Sequence, residues 1–233
     1  MTSAAIVSRE EWLESRKALL AQEKEFTRQR DELSKLRQQL PWVEVSEDYL
    51  FDTNDGPRHL SQLFGGHSQL VVYHFMYGPE WDVGCKSCSF WADNYNGIVA
   101  HLAARDVSLV AVSRTSLDNI NSFSKRMDWS FPWVSSLNNR FNFDYNVSFS
   151  EEDRTSGHAS YNYKSGPIGM DELPGFSVFS KDETGRLFHS YSTYSRGLDM
   201  MNTAYNILDL VPKGRDEQNL DHTMAWLRLH DSY

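Results

Sequence analysis

The sequence predicts an α/β fold: a mixed central sheet flanked by helices, preceded by a long N-terminal helix. Three observations carry this. Two continuous apolar runs, at residues 70–76 and 107–112, read as buried central strands. Each is followed by a helix-like segment, at 85–104 and 116–127. Two further apolar runs, at 176–179 and 187–190, flank Lys181-Asp182-Glu183-Thr184-Gly185-Arg186, which is a hairpin signal.

Taken in order, residues 8–40 read as one helix. Ser8 and Glu11 have capping-box spacing. Trp12, Leu19, Phe26, Leu33 and Leu40 recur every seven residues and give one narrow apolar stripe among charges. Pro41 ends the segment. Such a stripe suits either its own domain or a partner helix, so a homodimer through this helix is an expectation. Residues 42–52 suggest an extended pair around the turn Asn54-Asp55-Gly56-Pro57, and 59–64 a short helix or turn. After the strand at 70–76 comes a loop, then the helix at 85–104, with Gly97 a weak point. A short strand is expected at 131–134. Residues 138–170 are polar, aromatic and irregular, the mark of a functional excursion or a mobile loop. A last helix is expected at 198–210. The tail beyond Pro212 holds Trp226, Leu227 and Leu229, which favours docking. The organisation is therefore an N-terminal extension at 1–41, a domain at 42–212 and a docked tail at 213–233. Strand, helix, strand, helix, short strand, hairpin, helix is the thioredoxin-like order.

Composition narrows the function. The chain has 233 residues with 40% hydrophobic and 24% charged side chains, which suits a packed core. The net charge is −9, and residues 8–40 contribute +1 of it. Clustered cations for nucleic acid or an anionic membrane are missing, so neither is expected as a partner. The N-terminus reaches Arg9-Glu10-Glu11 before a signal-peptide core forms, and a cytoplasmic protein is the expectation.

Both cysteines lie in Cys85-Lys86-Ser87-Cys88. A strand before and a helix after place Cys85 where free N–H groups and the helix dipole favour a thiolate. Cys88, one turn on, is placed to resolve a mixed disulfide. Lys86 adds a nearby cation and Asp82 opposes it. Two readings stand beside the redox one. A copper or zinc site needs two further ligands, for which His74 and His189 are the candidates. A specialised enzyme acting on a small aromatic metabolite is the other, because Tyr77, Trp81 and Trp133 belong to an aromatic set expected near the cysteine mouth. Pro174 stands where thioredoxin-like proteins carry a cis-proline facing the cysteines, and is expected to be cis and to bind substrate. No cofactor is expected. The partners expected are a disulfide-containing protein or small molecule and an external thiol reductant.

Several segments together resemble one family. They are Leu40-Pro41-Trp42-Val43, Tyr73-His74-Phe75-Met76-Tyr77-Gly78-Pro79, Gly84-Cys85-Lys86-Ser87-Cys88-Ser89-Phe90, Phe131-Pro132-Trp133-Val134-Ser135-Ser136 and Tyr191-Ser192-Thr193-Tyr194-Ser195-Arg196-Gly197. The chain is similar along nearly its whole length to the thioredoxin-like family of unknown function 899, found in bacteria and fungi. The resemblance implies a fold distantly similar to peroxiredoxins and supplies no reaction. The peroxiredoxin motif Pro-x-x-x-Thr/Ser-x-x-Cys is not kept: Gly78 and Asp82 stand where proline and the hydroxyl residue would. A carboxylate there opposes the thiolate, so at most weak peroxidase activity is expected, with Arg196 or Arg114 as a compensating cation.

Overall fold

The computed structural model describes residues 4–233; residues 1–3 of the expected extension lie outside the described residues. The chain divides into two compact units, one up to Pro41 and one from Trp42 to Tyr233.

The first unit is α1 (Arg9–Gln38). Its start is the capping box read from the sequence. Glu11 N–H donates to Ser8 Oγ at 3.2 Å and Ser8 N–H to Glu11 Oε2 at 2.9 Å. No residue of α1 is buried, and Trp12, Leu19, Phe26 and Leu33 are all exposed.

The second unit contains ten strands: β1 (Val43–Glu44), β2 (Leu50–Phe51), β3 (Arg58–His59), β4 (Gln69–His74), β5 (Val107–Ser113), β6 (Trp133–Ser135), β7 (Ser160–Tyr161), β8 (Lys164–Ser165), β9 (Gly175–Lys181) and β10 (Leu187–Tyr194). Its helices are α2 (Leu60–Leu63), α3 (Lys86–Ala92), α4 (Val99–Ala103), α5 (Leu117–Arg126), α6 (Phe141–Asp144), α7 (Glu151–Ser156) and α8 (Thr203–Leu208). Six strands form the central sheet in the order β1-β10-β9-β4-β5-β6. Strands β4, β5 and β6 run parallel, whereas β9 and β10 are antiparallel. This is the thioredoxin-like arrangement.

Strand alternation makes two cores. Tyr73 and Phe75 face one side, where they meet Cys88, Trp91, Phe123 and Trp133. Leu70 and Val72 face the other, against Phe51, Phe64, Phe141 and Phe179. Fully burying each such side chain contributes about 1.5–3 kcal/mol. Gly185, at φ +87°, makes the β9–β10 turn that a residue with a Cβ resists.

Four expectations are corrected. The helix expected at 85–104 is two helices, α3 and α4. Asn94 Nδ2 donates to the carbonyls of Phe90 and Trp91, and Asn96 is tied to Asp128 and Ser130, so the helix stops between them. The segment at 138–170 holds α6, α7 and the β7–β8 hairpin, each too short for a periodic signal. The helix expected at 198–210 begins as a 3₁₀ turn over Ser195–Met201, and α8 starts only after the buried cap Asn202. The short strand lies at Trp133–Ser135, two residues later than expected at its start.

Candidate active site

The Cys-x-x-Cys motif sits where β4 runs into α3. Cys85 is the N-cap of α3. Its N–H donates to the Met76 carbonyl at 3.1 Å, holding it against the strand end. Gly84 permits this close packing, because a Cβ there would stand 2.8 Å from both Phe75 and Phe123. Cys88 follows one turn later and is buried, while Cys85 is only part-buried. Tyr73, wholly buried, donates its hydroxyl to the Cys88 carbonyl at 3.0 Å.

The two thiols are free and differ in character. Cys85 is held below the ordinary thiol range, to about 6, by the hydrogen bond from Cys88. Burial opposes this, and the N–H groups of Cys88 and Ser87 with the Ser87 hydroxyl assist it. Cys88 is pushed well up, first by burial and then by its bond to Cys85 and the charge there. One thiol is thus placed to ionise while its neighbour keeps the proton.

A pocket of about 270 Å³ opens on Cys88. Trp91 and Ser87 from α3, Tyr73 and Met76 from β4, and Pro174 from the approach to β9 line it. Arg196 and Asp199 stand at the pocket, paired at 3.1 Å. Asp199 also accepts from Arg215 at 3.1 Å.

Of the residues expected here, Cys88, Pro174 and Arg196 line this pocket. No peptide bond among the described residues is cis, so Pro174 is trans and that expectation is corrected. The reason is local: Leu173 N–H donates to Val147 at 2.8 Å and Tyr161 donates its hydroxyl to the Pro174 carbonyl at 2.7 Å. Both bonds hold the ordinary trans path into β9. Cys85, Tyr77, Trp81 and Trp133 do not line the pocket. Tyr77 is buried against Phe123, and its hydroxyl donates to the Asp82 carbonyl at 3.4 Å. Trp81 packs partly buried against the same core, beside Gly78. Trp133 lies 4.6 Å from Phe75, centroid to centroid, and donates to Ser113.

The metal set does not assemble. His74 points to the sheet face opposite the cysteines, where its ring lies on Phe141 and Tyr145. Its Nε2 pairs with Ser177 at 2.8 Å. His189 packs on Tyr145 and Phe179 on that same face. Strand alternation puts a β4 histidine adjacent to Tyr73 on the wrong side for Cys88. Among the described residues no group of three or more His, Cys, Asp or Glu is placed to hold a metal ion.

Sequence reading missed Tyr161, Leu198 and Met224 as pocket residues. Tyr161 lies in the segment whose irregularity marked it as an excursion. Met224 lies in the tail, and no motif announces it.

The family model described as bacterial protein of unknown function (DUF899) matches residues 1–233. The chain belongs to this family. A comparison with curated proteins found no match. Among solved structures, the chain is similar to peroxidoxin BcpB from Mycobacterium tuberculosis, at 15% identity and TM-score 0.45 over 70% of this chain and 93% of that one. It is similar to peroxiredoxin Q from Xanthomonas campestris, at 15% and 0.45 over 71% and 95%. It is also similar to a yeast mitochondrial 1-Cys peroxiredoxin, at 13% and 0.42 over 73% and 78%. At these scores the likeness says nothing about chemistry. No helix among the described residues is long and apolar enough to cross a membrane.

Proposed function

We propose that this DUF899 protein is a thiol–disulfide oxidoreductase whose working pair is Cys85 and Cys88. The observation that carries the reading is the geometry of two free thiols at one helix start, Cys85 at the N-cap of α3 and Cys88 buried one turn on; the lowered pKa of Cys85 and the raised pKa of Cys88 agree with it. Cys85 thiolate attacks one sulfur of a substrate disulfide. A Cys85–substrate bond forms, and the first substrate thiolate leaves. Cys88 then loses its proton and attacks Cys85 sulfur, releasing the second substrate thiol and leaving a Cys85–Cys88 disulfide. The substrate gains two electrons and the protein loses two. An external dithiol reductant returns them. Such a cycle suits a reducing compartment, which agrees with a cytoplasmic location.

The test is single-turnover reaction of the reduced protein with a small disulfide, followed by peptide mass mapping. The reading requires a Cys85–Cys88 disulfide and two equivalents of released thiol. Unchanged free cysteines under excess disulfide would defeat it.

A further inference from the structure

We propose that the Cys85–Cys88 site selects low-molecular-weight disulfides bearing a neutral, ring-sized apolar group, and that the C-terminal tail held by Glu217 excludes protein disulfides. This rests on the oxidoreductase reading above.

The first support is the main chain beside the cysteines. A protein disulfide binds as an extended segment and needs free backbone groups to pair with. Here the Leu173 N–H is taken by Val147 and the Pro174 carbonyl by the Tyr161 hydroxyl. From Gly175 onward the strand is paired on both sides, with His74 of β4 and Tyr194 of β10. The edge that would hold a peptide is used internally.

The second support is the pocket itself. At about 270 Å³ it lies just below the usual range of ligand pockets, about 300 to 1,000 Å³. Its lining is mostly apolar or aromatic, with Tyr73, Met76, Trp91, Leu173 and Leu198, and carries the hydroxyl residues Ser87, Ser195 and Thr223 as well. The nearby charges cancel, since Arg196 is paired with Asp199 and Arg215 with both Asp199 and Asp209. A neutral ring suits this mostly apolar lining, and the paired charges give a highly charged body no net attraction.

The third support is the tail. Thr223 and Met224 form one wall of the pocket. Glu217 fixes that wall by accepting from Met224 N–H at 2.9 Å, Trp226 Nε1 at 2.7 Å and the Tyr205 hydroxyl at 2.9 Å. Trp226 in turn lies edge-on to Phe90 of α3 at 5.6 Å, and Leu227 is buried. The tail therefore covers the flank of the redox helix that a protein substrate would approach. Glu217 is a positioning residue; it acts through Met224.

In the reaction, Cys85, which lies outside the pocket lining one turn before Cys88, takes the sulfur bearing the apolar group, and that group extends past Ser87 and Cys88 into the pocket. The other half leaves as its thiolate, Cys88 resolves as described above, and the external dithiol reductant resets the pair.

The experiment compares three disulfides against the full-length reduced protein by stopped flow: benzyl 2-hydroxyethyl disulfide, bis(2-hydroxyethyl) disulfide and insulin. The benzyl compound is expected to saturate and to react at least tenfold faster than its hydroxyethyl counterpart. Insulin is expected to react at least a hundredfold slower than the benzyl compound. Glu217→Ala should cut the benzyl rate by tenfold or more and raise the insulin rate. Met224→Trp, which fills the pocket without releasing the tail, should raise the half-saturating benzyl concentration at least tenfold. Equal rates for the two small disulfides, or insulin as fast as benzyl, would overturn the substrate assignment while leaving the oxidoreductase reading intact. No reaction with any of the three would overturn both.

Discussion

The Tyr73 hydroxyl, sealed within the core, donates to the Cys88 carbonyl at 3.0 Å and so ties the central strand β4 to α3. Tyr73 also stacks on Phe176 at 4.8 Å, which couples the helix to the strand after Pro174. Removing only the hydroxyl tests this tie. Tyr73→Phe is expected to lower stability by about 0.5–1.5 kcal/mol, the usual net value of one such bond, measured by urea unfolding of the reduced protein. A variant as stable as the parent would show the bond to be idle.

Cys85 reactivity should titrate low. With its thiol pushed down to about 6, alkylation by iodoacetamide should rise through that pH and level off near neutrality. Cys88→Ala removes the hydrogen bond that contributes most to this shift, so the midpoint should move upward by about one unit or more. A midpoint in the ordinary thiol range for the parent protein would show that Cys85 is not activated.

Acid should destabilise the fold through His74. Burial drops its pKa from the ordinary 6.5 to about 3, so the unfolded chain binds the extra proton across that interval. Stability is therefore expected to be full above about 6.5 and to decline as pH falls toward 3, by at most about 1.4 kcal/mol per pH unit. His74→Phe should flatten this limb in chemical unfolding followed from pH 7 to 4. His189 is displaced in the same direction, mainly by burial, and leaves a smaller residual slope.

The stripe on α1 should bind a second copy of the chain. Its period of seven suits a partner helix, and Trp12, Leu19, Phe26 and Leu33 are exposed. Light scattering is expected to give a dimer, and Leu19→Glu with Phe26→Glu a monomer. Identical masses for the two proteins would remove the helix from any role in assembly.

The fold was legible wherever a segment buried itself completely. Residues 70–76 and 107–112 are continuous apolar runs because β4 and β5 are covered on both faces, and the Ser8 capping box is a local signal that needs no tertiary context. The breaks were not legible. Asn94 and Asn202 end or start helices through side-chain bonds to carbonyls or N–H groups, and asparagine in a polar run carries no periodic mark. Of the site, the placing of Cys85 and Cys88 at the start of a helix after a buried strand follows from the order of elements, whereas the trans state of Pro174 does not. Trp133 and Tyr77 did not, because an aromatic residue at a strand end serves core or cleft depending on neighbours supplied by α5. The histidines failed as ligands for a simple reason: strand alternation, visible in the sequence, already places His74 opposite Tyr73. Met224 is held at the pocket by Glu217, through a side-chain hydrogen bond across seven residues that has no sequence signature.

The roles of Cys85 and Cys88 are read most directly from the two cysteine variants with a small disulfide, by intact mass. Cys88→Ser should accumulate one mixed disulfide on Cys85, because attack proceeds and resolution does not. Cys85→Ser should form none at neutral pH, since the remaining thiol is buried and its proton is held well above the ordinary range. Turnover with dithiol reductant should fall at least a hundredfold in both. Full turnover by both variants, or adduct formation by Cys85→Ser as fast as by Cys88→Ser, would contradict the assignment of Cys85 as nucleophile and Cys88 as resolving thiol.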